Sequence, residues 1–600
     1  MKQTKLPRKN KSTGKKNQNL WWIDALEKTS HAMKAFKPVL PIASSAQPMT
    51  IFDPGIMRDV FSKACANLTT QLEEKPQLFV EIQNSYGRKL QDLFENTQQR
   101  LQGLPAQPVV APHANDKRFQ DVAWQEEPYF DFLKQSYLLQ AELLQNTVRS
   151  LDGLDTKTHH KINFYTRVFV DAMAPTNFPS TNPMVLRETL ETKGKNLKQG
   201  YANFVRDFCD SEPQMRMTDA SAFKVGKNLA TTPGKVVFQN DILQLIQYVP
   251  TTAKVAAVPL LIVPPWINKY YIFDLREENS FVRWAVDSGL TVFMVSWVNP
   301  DKAHADKTLS DYVLNGVMDA ATSVCEITGA KQINALGYCA GGIALTCLVT
   351  YLTQKKRNII KSATIVASPI DTRHSGELLV YICEEQLKKL DEHMKEQGYL
   401  TGKAMAMSFN MLRANDLIWS CYINNYLLGR QPTPFDMLYW NNDATRMPAR
   451  MHSEYLRQVF LENRLIKKGK QGIRIKKEYL DLSNMAVPLF LFGTADDHIA
   501  PWQSVYPLSQ IVSGPVQFVL GGSGHVAGVF NSPNRQKYGY WTNASVPKNP
   551  QAWLQDAQHN EGSWWPQWRK WLEDYSGDLT KPLKPEQKRI IEDAPGSYAK

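Results

Sequence analysis

The chain changes texture near Lys235. Before it, apolar positions keep helical spacing; after it, short apolar runs are separated by helical segments. In the first part, Trp21-Trp22 opens an apolar patch, Ile23 to Phe36 has helical spacing, and Pro38, Pro41 and Pro48 end it. Arg58 to Gln102 sets Phe61, Leu68, Leu72, Phe79, Ile82, Leu90 and Leu93 near one face of a helix. Residues 103–113 hold three prolines and read as a loop. Phe130 to Leu151, Lys161 to Met173 and Lys195 to Phe208 then resume the helical pattern. These segments predict a mostly helical unit over residues 19–225. It shows no catalytic grouping, so partner binding or dimerisation is its expected role, with plain scaffold the alternative.

In residues 226–600, Val236-Val237-Phe238 and Leu243 to Tyr248 flank Gln239-Asn240-Asp241 as a hairpin. Apolar runs follow at Pro259 to Val263, Thr291 to Ser296, Ile333 to Leu336, Ala363 to Ala367, Val487 to Phe492 and Val516 to Leu520. Such strands alternating with helices predict a parallel sheet covered on both faces. Residues 371–484 interrupt the rhythm with an aromatic, helical stretch (Trp419, Tyr422, Tyr426, Phe435, Tyr439, Trp440). This is expected to be an insertion forming a lid over the C-terminal edge of the strands, where such sheets place their sites. After the last run, Trp553, Trp564, Trp565, Trp568 and Trp571 read as a packed terminal helix.

The candidate chemistry centres on Gly337-Tyr338-Cys339-Ala340-Gly341-Gly342, between a strand and an apolar helix. Strand, G-x-C-x-G, helix is the layout of a nucleophile elbow, with Cys in place of Ser. A turn this sharp brings strand and helix backbones together, so a Cβ at position 337 or 341 would clash. Cys339 is expected in a strained conformation, exposed at the tip, with the helix N-terminus behind its sulfur favouring a thiolate. Two further strand ends fit the elbow. Asp496-Asp497-His498 follows one, and the glycine-rich loop Gly521-Gly522-Ser523-Gly524-His525 follows the next. Nucleophile, acid, histidine is the α/β-hydrolase order, and it sets the expected fold class.

Each role has a reason. A thiol needs a base within reach, which His525 supplies, and a carboxylate behind the imidazole fixes its tautomer. Residue types alone leave that carboxylate open between Asp496 and Asp497. His498 adjoins the acid, but adjacent residues at a strand end point apart, so it is the weaker candidate for the base. The oxyanion needs fixed donors. One is the Ala340 N–H; the second is Trp266 or Ile267 after the Pro259 to Val263 strand, since Pro265 has no N–H.

Composition narrows the rest. Seven cysteines without a C-x-x-C pair indicate neither a metal knuckle nor a disulfide framework, and no metal or cofactor is expected. Reduced cysteines without a secretory leader point to the cytoplasm. The longest uncharged apolar run near a strand, Val255 to Ile267, carries three prolines and is too short to span a bilayer, so no integral membrane segment is expected. Residues 1–18 carry seven Lys/Arg and no acid, which leaves +5 of the net +12 to the rest of the chain. The basic excess therefore reads as a disordered tail, and no motif supports nucleic-acid binding.

From about Asp116 to Gly596 the chain closely resembles the polyhydroxyalkanoate synthases. The resemblance is carried by Val170 to Phe178 (VDAMAPTNF), Pro264 to Ile272 (PPWINKYYI), the 337–342 elbow and Asn424 to Gly429 (NNYLLG). Trp440 to Asp443 (WNND), Asp497 to Trp502 (DHIAPW) and Gly562 to Pro566 (GSWWP) add to it. It implies polymerisation of (R)-3-hydroxyacyl-coenzyme A, short-chain or medium-chain, with release of coenzyme A through an acyl-cysteine. The family nucleophile maps onto Cys339, its histidine onto His525 and its aspartate onto Asp497. That aspartate is thought to help activate the 3-hydroxyl of the incoming unit, directly or through the histidine. The resemblance also implies a homodimer without a second subunit type, a growing polyester chain as partner, and a place at granule surfaces beside granule-surface proteins. Arg413 or the Lys467 to Lys477 segment could meet the coenzyme A phosphates. A cysteine-dependent thioesterase or polyester depolymerase of the same fold is the competing enzyme reading. A non-catalytic granule-coat protein is the competing non-enzyme one.

Overall fold

Leu260, Leu261, Ile262 and Val263 are all buried, because alternate side chains of one strand enter two different cores. Leu261 and Val263 join Phe293, Val295, Ala335 and the helix Ala340–Gln354 on one face. Leu260 and Ile262 join Val292, Met294, Leu336 and a tryptophan cluster on the other. Burial on both faces is why these strands read as continuous apolar runs rather than alternating ones.

The computed structural model describes residues 73–209 and 214–600, with positions 62, 64, 66–68, 70 and 71. The basic tail, the Trp21-Trp22 patch and the Ile23 to Phe36 helix lie outside the described residues. The main sheet has eleven strands: β1 Gly234–Gln239, β2 Leu243–Tyr248, β3 Leu260–Val263, β4 Val292–Trp297, β5 Ile333–Tyr338, β6 Ile360–Val366, β7 Leu489–Thr494, β8 Val516–Gly521, β9 Tyr540–Thr542, β10 Gln558–Asn560 and β11 Glu592–Asp593. Their order is β10-β9-β8-β7-β6-β5-β3-β4-β2-β1-β11. From β4 to β8 the neighbours are parallel. The strands outside them pair antiparallel. This is the mixed, doubly covered sheet of the α/β-hydrolase fold.

The sequence pattern ended the sheet at β8; the structure adds β9 and β10 at one edge and β11 at the other. These strands are two or three residues long and partly exposed, so they carry no alternation long enough to read. The expected helix from Arg58 is also divided. A helix begins at Pro76 and runs to Leu101, because proline suits a first helical turn but cannot continue a preceding helix. The tryptophans split as well. Trp564 caps and Trp565, Trp568 and Trp571 lie on the helix Trp565–Ser576, while Trp553 sits on a separate short helix, Pro550–Gln555.

The front helices Pro128–Arg149, Thr156–Ala172, Pro183–Glu191 and Lys195–Phe208 lead toward the stretch between β6 and β7. At Gly200 the last of them crosses Tyr426 so closely that a Cβ would lie 1.9 Å from the Tyr426 carbonyl oxygen. Asn203 and Asn196 donate side-chain bonds to the carbonyls of Asn425 (2.9 Å) and Leu427 (3.0 Å), and the Tyr426 hydroxyl donates to Asp207 (3.0 Å). Among the described residues no helix is long and apolar enough to cross a membrane.

The tryptophan cluster holds the loop after β8. Trp564 stacks on Phe492 of β7 with centroids 4.1 Å apart. The indole N–H groups of Trp564 and Trp565 both donate to the Val529 carbonyl, at 3.0 and 2.9 Å. Replacing Trp564 with Phe removes one of two donors and is expected to cost about 1 kcal/mol. Replacing it with Ala also empties the stacking site and is expected to cost about 3–5 kcal/mol. Urea midpoints of the two variants check this; equal losses would refute the division between stacking and hydrogen bonding.

Candidate active site

β5 ends in the elbow. Cys339 has φ 53° and ψ −122°, a left-handed conformation rare for a residue with a Cβ. The glycines around it leave no room for one. A Cβ on Gly337 would lie 2.6 Å from the Gly342 Cα, one on Gly341 2.2 Å from the Val263 carbonyl oxygen, and one on Gly342 2.0 Å from the Ser368 hydroxyl. The Cys339 N–H donates to the Val366 carbonyl at 2.9 Å, tying the elbow to β6. The sequence placed Cys339 exposed at the tip; in the structure it is buried, 9% exposed. Its cover is tertiary. Cys339 shares a core cluster with Tyr338 and with Trp440 from the stretch between β6 and β7, and Tyr455 of the same stretch is buried and packs edge-on against Trp266 (5.3 Å).

β7 and β8 deliver the other two groups. The His525 Nδ1 lies 2.7 Å from the Asp497 Oδ2, and both side chains are buried. Cys339 lies near enough to His525 for its charge to act on the imidazole. The structure thus brings Cys339, His525 and Asp497 together, and it leaves Asp496 exposed to solvent. Asp497 is fully engaged: its Oδ1 accepts the Ile499 and Ala500 N–H groups at 2.8 Å each, and its Oδ2 accepts the Thr494 hydroxyl at 3.1 Å. Burial works against its charge, but the His525 charge and these donors hold its pKa below the usual carboxylate value. Burial likewise opposes a charged His525, yet the charge of Asp497 and then of Cys339, with their hydrogen bonds, pushes its pKa up to about 10.

His498 joins neither partner by a hydrogen bond among the described residues. Its Nδ1 is unpartnered, and burial brings its pKa down to about 4, so it is neutral near pH 7. The Trp266 and Ile267 N–H groups leave β3 beside the elbow, where Val263 pairs with Gly337, and donate to no carbonyl among the described residues. Ala340 is buried at the first turn of the helix behind Cys339. Arg413 is half-exposed and ion-paired with Asp416. Lys467, Lys468, Lys470, Lys476 and Lys477 are exposed. Among the described residues no group of three or more His, Cys, Asp or Glu could hold a metal.

Three residues of the site were not singled out in the sequence. Thr494 ends β7 three residues before Asp497, and its hydroxyl meets the carboxylate only once the turn between them has folded. The Tyr338 hydroxyl donates to the His525 carbonyl at 3.1 Å and its ring lies 5.1 Å from the imidazole. Tyr455 carries no local signal, since only the folding of the stretch between β6 and β7 sets it against Trp266.

Residues 115–285 match the family model described as the N-terminus of poly-beta-hydroxybutyrate polymerase (PhaC), and residues 277–532 match the alpha/beta hydrolase fold. The chain is 40% identical to the poly(3-hydroxyalkanoate) polymerase subunit PhaC of Rhizobium etli, over 96% of this chain and 90% of that protein. It is 43% identical to the poly(3-hydroxyalkanoate) polymerase of Methylorubrum extorquens, over 88% and 87%. It is 39% identical to the polymerase subunit PhaC of Cupriavidus necator, over 81% and 83%.

His525 holds its proton more tightly folded, with a pKa of about 10, than at the ordinary value of 6.5. Its pairing therefore stabilises the fold fully below about pH 6.5, and that contribution is lost as the pH rises through about 10. The urea midpoints of the protein and of His525→Gln are expected to converge from about pH 6 to about pH 10. A gap that stays constant or widens would show that the imidazolium is not held in this way.

Proposed function

The chain belongs to the poly(3-hydroxyalkanoate) polymerase family, and on that basis we propose that this acyltransferase joins (R)-3-hydroxyacyl units into a polyester, releases coenzyme A, and works through an acyl-Cys339 intermediate. We take (R)-3-hydroxybutyryl-coenzyme A as the first substrate to test. The observation that carries the reading is the buried His525–Asp497 pair, 2.7 Å apart, with Cys339 buried beside it at the elbow.

In the first half-reaction the Cys339 sulfur, its proton already held by His525, attacks the thioester carbon. The bond to the coenzyme A sulfur breaks, and His525 returns the proton to the leaving thiolate. In the second, the hydroxyl of the growing chain gives its proton to His525 while its oxygen attacks the acyl carbon. The bond to Cys339 breaks and the proton stays on His525 beside the released sulfur, which restores the starting pair. The first exchange converts one thioester to another, so it is close to balanced. Ala340 and either Trp266 or Ile267 supply N–H donors to the oxyanion in both halves. Because both oxygens of Asp497 are already engaged by His525, Thr494 and two amides, Asp497 acts through His525 rather than on the substrate hydroxyl.

The cover decides the acceptor. Water kept from the acyl-cysteine leaves the chain hydroxyl as the available nucleophile, which favours polymer over free acid. In this reading residues 371–484 act as the lid, Arg413 exchanges Asp416 for a coenzyme A phosphate, and the enzyme works as a homodimer at polyester granules in the cytoplasm.

The test follows thiol release and high-molecular-weight polyester in one tube with (R)-3-hydroxybutyryl-coenzyme A. Release with polymer is expected. Release with only free hydroxy acid would make the protein a thioesterase, and no release with short or longer acyl chains would leave the granule-coat reading. Cys339→Ala is expected to lower release by roughly a thousand-fold or more while the urea midpoint stays near that of the parent; retained turnover would remove Cys339 as nucleophile.

A further inference from the structure

Thr445 lies in the stretch between β6 and β7, yet it grips the loop that follows β3. Its hydroxyl donates to the Trp266 carbonyl at 2.5 Å and lies 2.9 Å from the Ile267 carbonyl, to which its own N–H donates at 3.0 Å. Thr445 is 1% exposed. The surrounding seam is continuous. Trp440 donates its indole N–H to the Lys269 carbonyl at 2.7 Å, the Lys269 ammonium pairs with Asp443 at 3.0 Å, and the Tyr271 hydroxyl donates to Asp443 at 2.8 Å.

The Trp266 carbonyl and the Ile267 N–H belong to one peptide unit, and in a planar trans peptide they point in opposite directions. Fixing that carbonyl on the Thr445 side fixes the Ile267 N–H on the other. No such anchor orients the Trp266 N–H: its peptide partner, the Pro265 carbonyl, accepts no hydrogen bond among the described residues. The Ile267 N–H itself has no acceptor among the described residues. The loop passes the elbow at contact distance, since the Pro264 carbonyl oxygen would lie 2.5 Å from a Cβ on Gly341.

We propose that Thr445 is a positioning residue that sets the Ile267 N–H as the second oxyanion donor. This rests on the acyl-transfer reading above and resolves the choice it left between Trp266 and Ile267. It has a consequence for product choice. Thr445 belongs to the cover, so unseating the cover releases the donor peptide at the moment that water gains entry. An open acyl-enzyme is then a poor catalyst of its own hydrolysis.

The test compares Thr445→Val, which keeps the branched shape without the hydroxyl, with Thr445→Ser, which keeps the hydroxyl. Three readouts are taken: kcat and KM for coenzyme A release from (R)-3-hydroxybutyryl-coenzyme A, and the rate of iodoacetamide alkylation at the Cys339 peptide. Alkylation is a displacement at saturated carbon and needs no oxyanion donor. Thr445→Val is expected to lower kcat about ten- to a hundred-fold, with KM and alkylation within about two-fold, and Thr445→Ser to stay near the parent. An unchanged kcat in Thr445→Val overturns the role, and so does a parallel fall in alkylation, which would mean a disordered site. Should Thr445→Val not fold, Thr445→Ala is read by the same three measures. A parent enzyme that is alkylated at Cys339 but releases no coenzyme A overturns the acyl-transfer reading, and this role with it.

Discussion

At the elbow the helix and β3 backbones meet at Gly341, where a Cβ would lie 2.2 Å from the Val263 carbonyl oxygen and 2.5 Å from that of Pro264. That contact lets the helix Ala340–Gln354 dock on β3 and β5 together, and it leaves Cys339 at φ 53°. A residue with a Cβ held there costs about 1–3 kcal/mol and persists only where its surroundings over-determine it. Here they do. The Cys339 N–H is bonded to β6, the glycines exclude any wider turn, and the helix behind is buried along most of its length. The strain aims the sulfur at the histidine loop rather than into the sheet.

The partners of that sulfur are fixed by equally indirect means. His525 is a loop residue, but its loop is held at Val529 by two indole donors and at its own carbonyl by Tyr338. Asp497 is held by two amides and a threonine hydroxyl before it meets the imidazole. Such preorganisation matters because the site is buried. In a low dielectric an unpaired charge is costly, whereas a satisfied set is strong. The depressed carboxylate and the raised imidazole are two faces of one buried pairing.

The stretch between β6 and β7 links the two ends of the chain's architecture. On one side it is clasped by the front helices, most tightly where Gly200 meets Tyr426. On the other it is sewn to the loop after β3 through Trp440, Asp443 and Thr445. The front helices therefore contact that stretch, and among the described residues they add no group to the set Cys339, His525 and Asp497.

Much of this was legible in the sequence, and the limits are physical. Apolar runs fixed the central strands because each is buried on both faces, and the glycines at 337 and 341 announced the elbow because a Cβ there has nowhere to go. The order of Cys339, Asp497 and His525 followed from strand ends, which are local. The edge strands β9 to β11 were not legible, since two or three half-exposed residues have no period. Nor was the burial of Cys339, because its core cluster includes Trp440, more than a hundred residues away. Thr445 reads as an ordinary residue after Trp440 to Asp443; only the folded seam puts its hydroxyl on the Trp266 carbonyl. The sequence by itself determined what is set by local sterics and periodicity: the elbow, the strands and the candidate nucleophile, acid and base. The resemblance had already picked Asp497 over Asp496; the tertiary structure alone decided how the sulfur is buried and how the loop after β3 is held, because those depend on contacts between segments that no local pattern encodes.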